Sequence, residues 1–464
     1  MPLDNQGLSM TANNDEAAAA YDETLASYLC FRRDTGVHLK AAFTADPELL
    51  LGHCIKGYFF LLFAKRALLP KAHAALAAAQ AGAKAYGATD REARHVAALA
   101  AWLDENLTGA LAEWEAILSK HPRDALALRL AHYMHFYLGP DPAMRDSVAR
   151  VLPAWDESAP GFGYVLGIAA FAHEEAGDFE AAEQYGRRAV DLNPDDAWAI
   201  HAVAHVMEMQ GRHAEGIDWL SGLEPHWTKA HNFRFHIWWH RALYHLERRE
   251  FDAVLAHYDE RIRGEEPDSD DYLDLSNGIA MLWRLEALGL DVGGRWTELA
   301  EKSAARADDH QLVFADAHYA MALAAVGRKD DLAELVGRME ALGRTSKATE
   351  AVVTRDVGLP MAAAAEAWYA GDYGAAADAL APVADQVWRI GGSHAQRDLF
   401  AQLLFQAELR AGRFENVRGR LAARTGSRPG SAASWEWYAA ALDGLGESTG
   451  AAEARDKAAA ALSH

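Results

Sequence analysis

Histidines and a glutamate recur at helical spacing in this chain. HAVAHVMEMQGR (201–212) places His201, His205 and Glu208 at i, i+4 and i+7, one stripe of one α-helix. HNFRFHIWWHRALYHLE (231–247) opens on His231 and repeats the i, i+4 spacing with His236 and His240. GGSHAQRD (391–398) adds His394, Gln396, Arg397 and Asp398. Imidazoles one turn apart form a good chelating pair for a divalent metal such as zinc. That makes His201, His205, His236 and His240 the candidate metal ligands. The same groups suit proton transfer. A His–carboxylate pair, His205 with Glu208 or His394 with Asp398, could move protons on a small substrate or a bound water. On that reading His205, Glu208, His240, His394 and Asp398 carry hydrolase- or lyase-type chemistry. Two blander readings stand beside these: a pocket that binds without chemistry, and histidines that bond one another to hold tight helix packing. No HExxH, GxSxG, P-loop or dinucleotide fingerprint is present, so neither a known metalloprotease motif nor a covalent serine or cysteine mechanism has support.

The elements that must position these groups come from an internal period. GDFEAAEQYGRRAVDLNP (177–194) has a turn glycine, Gly177, followed by Ala182, Ala189 and Pro194; GRHAEGIDWLSGLEP restarts the pattern at Gly211, 34 residues on. Gly412 and Gly446 are again 34 apart, and Glu105, Arg249, Gly327 and Gly371 hold the turn place in other units. This is tetratricopeptide grammar. Small residues let paired helices approach, proline ends the second helix, and each pair buries its apolar face against the next. The expectation is all-α, a right-handed α-solenoid of tetratricopeptide-like helix pairs over 86–464. Residues 1–85 are expected to form a helical cap and degenerate repeats. Loops are expected at 141–144, 263–272, 289–295 and 425–431.

In such repeats the first helix lines the concave face, about thirteen, ten, six and three positions before the turn residue. Counting from Gly211 gives His201, His205 and Glu208; from Gly177, Tyr164, Gly167, Phe171 and Glu174; from Glu105, Glu92, His95 and Trp102. Trp239 faces the same way, His240 is one step aside, and Asp316 and His318 come from a later unit. His201, His231, His236, Trp239, Tyr164, Asp316, His318, Gln396 and Arg397 are therefore the expected ligand contacts around one cavity. His132 and His135 count to the packing side. Gly391 and Gly392 read as helix punctuation before His394.

Bulk composition narrows the partners. Hydrophobic residues at 51% and charged residues at 24% describe a folded chain. Sixty-seven acidic against 45 basic residues, a formal charge of −22, argues against nucleic acid or an anionic membrane as the main partner. A small-molecule ligand is expected, or a peptide or protein partner if the repeats are a scaffold; a homodimer is compatible with either. Two cysteines, Cys30 and Cys54, make no disulfide framework and suit a reducing compartment. The N-terminus lacks an apolar core, and the longest apolar run (58–64) is short of a membrane span. A cytoplasmic location is expected.

HPRDALALRLAHYMHFYLG (121–139), PDDAWAIHAVAHVMEMQGR (194–212), HNFRFHIWWHRALYHLE (231–247), DLSNGIAMLWRLE (274–286) and GGSHAQRD (391–398), in this order, resemble the tetratricopeptide repeat protein 38 family, from about residue 20 to the last repeats. The resemblance implies a bacterial-type member with an α-solenoid fold. It marks His201, His205, Glu208, His231, His240, Asp274, Asn277, Asp316, His318, His394, Gln396, Arg397 and Asp398 as signature positions. It implies positions and no reaction. The HN-to-WH segment departs from the family's shorter one, which affects the placement of His236.

Overall fold

The computed structural model describes residues 1–139 and 142–462. The fold is all-α, built from tetratricopeptide-like helix pairs. Among the described residues the only extended pairings are two isolated bridges, Leu3 with Ser9 and Arg32 with Ala230. No described helix is long and apolar enough to cross a membrane.

The pairs form where the period predicts them. Asp90–Leu103 packs on Leu107–Lys120, Phe162–Glu175 on Phe179–Leu192, Leu359–Tyr369 on Tyr373–Leu380, and Ala432–Gly444 on Ser448–Ala461. The small residues of the pattern, Ala98, Ala110, Ala182, Ala189, Ala439, Ala451 and Ala458, are all buried. No Cβ branch there holds the backbones apart. Each expected turn residue has positive φ: Gly177 79°, Gly211 72°, Gly327 70°, Gly371 79°, Gly412 71° and Gly446 79°. Glu105 (58°) and Arg249 (62°) adopt the same left-handed conformation without being glycine. That conformation ends one helix and redirects the chain into the next.

The helices group into two compact units. The first comprises Met1–Val203, Leu223–Arg234 and Lys347–Ala351; the second comprises Ala204–Gly222, Phe235–Ser346 and the described chain from Val352 on. Cys30 and Cys54, both in the first, are free and buried.

The loops mostly follow expectation. Residues 263–271 and 289–295 lie outside α-helix. Of the loop expected at 141–144, Asp141 lies outside the described residues, and the rest is already helix, Pro142–Val151. Proline is favourable in a first turn, where its missing N–H has no intrahelical acceptor. The loop expected at 425–431 shortens because Phe414–Ser427 stays helical; the Thr425 hydroxyl donates back to Leu421 O, one turn earlier, at 2.9 Å.

Candidate histidine centre in the second unit

Four helix segments of the second unit bring the chemistry together. The C-terminal part of Ala197–Met209 carries His205 and Glu208. Phe233–Glu247 carries His236, Trp239 and His240. Tyr272–Ala287 adds Asn277 and Arg284, and His394–Arg410 adds His394, Arg397 and Asp398. Tyr244 sets the approach of the first two: its hydroxyl donates to Ala204 O at 2.6 Å. Its ring occupies the space beside Gly216, where a Cβ would meet the ring at 2.4 Å. Only glycine at 216 lets the ring in.

The imidazoles form a chain. His236 Nδ1 lies 3.1 Å from Asn277 Oδ1, the two Nε2 atoms of His236 and His240 face each other at 3.2 Å, and His240 Nδ1 lies 2.9 Å from Glu208 Oε2. His205 packs against His240 with ring centroids 4.3 Å apart. Ring nitrogens of His205, His236 and His240 fall within 4.8 Å of one another. Trp239 stacks on His236 at 5.3 Å and 15°.

The protons of this chain follow from its acceptors. Asn277 Oδ1 can only accept, so His236 carries its proton on Nδ1 and offers a lone pair at Nε2. His240 then donates from Nε2 and leaves Nδ1 as a lone pair, and Glu208 must supply the proton between them. Burial favours this neutral arrangement. It pushes His240 down to about 3, with the Arg284 charge acting the same way. His205 and His236 lie well below the ordinary value, again through burial first and neighbouring charges second. Burial raises Glu208 to about 7 against the pull of Arg428 and Arg284.

Beside the chain lies a cavity of about 40 Å³ lined by Glu208, Arg284, Asp398, Gln402, Arg428 and Trp437, among others. Arg284 is buried, donates to Ala280 O (3.1 Å) and Ala395 O (2.9 Å), and lies over the Trp239 ring. Asp398 is gripped by Arg424, with Nη2 at 2.8 Å, and accepts from Gln402 Nε2 at 2.6 Å. Burial would raise its pKa, but Arg424, Arg428 and Arg284 hold it far below the carboxylate range.

The sequence-predicted residues thus separate. His205, Glu208, His236, Trp239 and His240 come together as one cluster. The charges of His394 and Arg397 act on His205, and Asp398 shares the cavity with Glu208. The His–carboxylate contact found is His240 with Glu208, made between helices. Asp398 meets Arg424, whose two-pronged guanidinium suits a carboxylate, and His394 meets Arg397 at 3.2 Å. Gln396 closes a capping box with Ser393 at the head of its helix. Gly391 and Gly392 punctuate that head as expected. Gly392 has φ 82°, and a Cβ there would meet the Phe314 ring at 2.9 Å.

His318 donates from Nδ1 to Phe314 O (2.7 Å) and packs on Phe400. Asp316, two residues away and so on another side of the helix, pairs with His310 at 3.1 Å. His201, Tyr164 and His231 belong to the first unit. There His201 stacks on Phe171 (5.4 Å), Tyr164 bonds Cys30 (2.7 Å), and His231 is exposed. Asn277 was marked only by resemblance. Arg284 was missed, although an arginine inside the apolar run IAMLWRLE is itself a signal. Arg424 and Arg428 had none.

No protein-family model matches the chain. It is similar to the human IFIT1 dimer with PPP-AAAA, at 12% identity over 97% of this chain and 95% of that one, TM-score 0.39. It is also similar to a chain of Naa15/Naa10 bound to HypK-THB, at 14% identity over 96% and 63%, TM-score 0.25. Likenesses this distant bear on no function.

Proposed function

We propose that the second unit binds a divalent transition metal, zinc foremost, through His205, His236 and His240, and uses it on a small molecule in hydrolase- or lyase-type chemistry. The carrying observation is the pair of Nε2 atoms facing each other at 3.2 Å while each Nδ1 meets a side-chain oxygen, of Asn277 or Glu208. Two nitrogens bound to one tetrahedral Zn²⁺ at about 2.05 Å stand about 3.3 Å apart. A metal-bound imidazole needs its other nitrogen protonated and donating to a carboxylate or carbonyl. Glu208 and Asn277 are such partners. With an ion there, the Glu208 proton would pass to His240 Nδ1 and the His240 Nε2 proton would leave to solvent, so that both Nε2 lone pairs could face the metal.

Catalysis by such a zinc needs one position left for water or substrate. Glu208, which also lines the cavity, is the group to hold or take a proton there. Membership of the tetratricopeptide repeat protein 38 family belongs to the same reading. Elemental analysis of the purified protein tests it. One metal per chain is expected, lost in His236→Phe and His240→Phe. A wild-type protein that takes up no zinc, cobalt or nickel after chelator treatment and reloading overturns it.

A scaffold for peptide or protein partners is the second reading. It is favoured by the size of the cavity: about 40 Å³ holds a few waters, well short of the roughly 300 Å³ at which ordinary ligand pockets begin. Metal loading that changes neither turnover nor small-molecule binding, while a partner is still bound, would favour the scaffold.

A further inference from the structure

The first unit contains a second concentration of buried polar groups, separate from the histidine centre. Arg129, on the helix Ala125–Tyr137, is 1% exposed. Its guanidinium lies 4.3 Å from the Tyr133 ring, 4.3 Å from Trp198 and 5.0 Å from Phe31. One Nη donates to Tyr133 Oη at 2.6 Å, while Nε is buried without a partner. Among the described residues no carboxylate forms an ion pair with Arg129. A buried guanidinium normally has one, because the desolvation of its charge is otherwise uncompensated.

The surroundings are equally unfinished. Both ring nitrogens of His132 are buried without partners, as are Trp198 Nε1 and Asp196 Oδ2. Trp198 joins them: its ring lies 5.5 Å from that of His132 and 4.8 Å from that of Phe171. Burial, with the Arg129 charge behind it, keeps His132 neutral, so one nitrogen is an unmatched donor and the other an unmatched acceptor. Burial also raises Asp196 to about 7, against the Ala199 amide and Arg129. Asp196, whose carboxyl the Arg129 charge acts on, is therefore a weak counterion. Three donors, one of them on a cation, lack acceptors in one apolar, aromatic setting, and Asp196 Oδ2 and the second His132 nitrogen are unmatched beside them. The common complement of the three donors is an anion with two oxygens in a plane and an apolar body.

We propose that the first unit binds a small organic carboxylate at Arg129, with Trp198 Nε1 and His132 as further donors and aromatic rings around its apolar part. The planar edge of a guanidinium matches a carboxylate with two parallel hydrogen bonds. This proposal stands independently of the metal reading, since it shares no residue with it.

Thermal melting of the full chain tests it, with benzoate, butyrate, phosphate or sulfate added to a carboxylate-free buffer. At a hundredfold excess over Kd, binding raises Tm by roughly 3 °C where the chain melts as one, and by about twice that where the first unit melts by itself. Benzoate or butyrate is expected to do this for wild type and not for Arg129→Met, which keeps the bulk and removes the charge. Trp198→Phe should reduce the shift while leaving the unliganded melt near wild type. Arg129→Lys, a point charge without the planar edge, should respond more weakly than wild type, and it stands in if the methionine variant does not fold. Equal carboxylate shifts in wild type and the Arg129 variants overturn the site. Shifts from phosphate or sulfate as large as those from carboxylates overturn the ligand class.

Discussion

Arg91 and Arg129 are buried alike, at 2% and 1% exposure, yet their surroundings differ completely. Arg91 donates to Asp4 (2.6 Å), to Asp124 (3.1 Å) and to Ser9 O (3.1 Å). Asp124 in turn meets His95 at 3.4 Å and accepts the Ala127 amide at 2.8 Å. Glu92, on the same helix, takes four donors from Thr11 and Thr89. Every charge there has a partner within the protein. Around Arg129 the neighbours are rings, and its Nε, both His132 nitrogens, Trp198 Nε1 and Asp196 Oδ2 end without partners. Burial of charge alone does not mark a site. The unmatched donor or acceptor does.

The largest expected effect breaks the closed network. Arg91→Met strands two buried carboxylates and should cost about 3–5 kcal/mol, measured by urea denaturation. Arg129→Met strands none and should cost under about 1 kcal/mol or stabilise. Equal losses would erase the contrast.

Asp196 gives a pH-dependent version. Its folded pKa is raised to about 7 from 3.8. Its contribution to stability is therefore fully present below 3.8 and lost as pH rises through 7. Asp196→Asn removes that loss. The variant should be the more stable at pH 8, by at most about 4 kcal/mol, with the gap closing towards pH 4. A gap constant with pH would mean that Arg129 already neutralises Asp196.

At the histidine centre, Asn277→Ala removes the acceptor behind His236. Metal affinity should fall about 10–100-fold in a competition titration against a chelating dye, with circular dichroism unchanged. Unaltered affinity would put Asn277 outside the centre. The smallest effect is expected at a turn. Glu105→Gly relieves a side chain from positive φ and should shift stability by no more than about 1 kcal/mol, in denaturation of the same kind. A large loss would show that the Glu105 side chain, and not only its backbone, holds the repeat.

The repeat was legible because period and turn chemistry are local. Gly177, Gly211, Gly412 and Gly446 announce themselves, and even Glu105 and Arg249 were placed by counting. The i, i+4 histidines were legible for the same reason. Their partners were not, because the contact of His240 with Glu208 depends on how two helices meet, which Tyr244 and Gly216 decide. Asp316 and His318 looked like one group in sequence, but a helix turns 100° per residue and sends them to different neighbours. Arg129 and Arg284 share a sign that could have been used. Each is a lone arginine within an apolar helical run, where a charge needs a reason. His132 was assigned to packing by its face, and face alone says nothing about whether its nitrogens are satisfied.

The stack of Trp239 on His236 has a spectroscopic meaning. An indole in face contact with a coordinating imidazole is within range for its excited state to be quenched by a paramagnetic ion such as Cu²⁺ or Co²⁺ held on that ring. The chain contains 14 tryptophans, so the readout is a difference: emission lost on loading in wild type and retained in Trp239→Phe. If the proposed metal binds, Trp239 is its optical gauge.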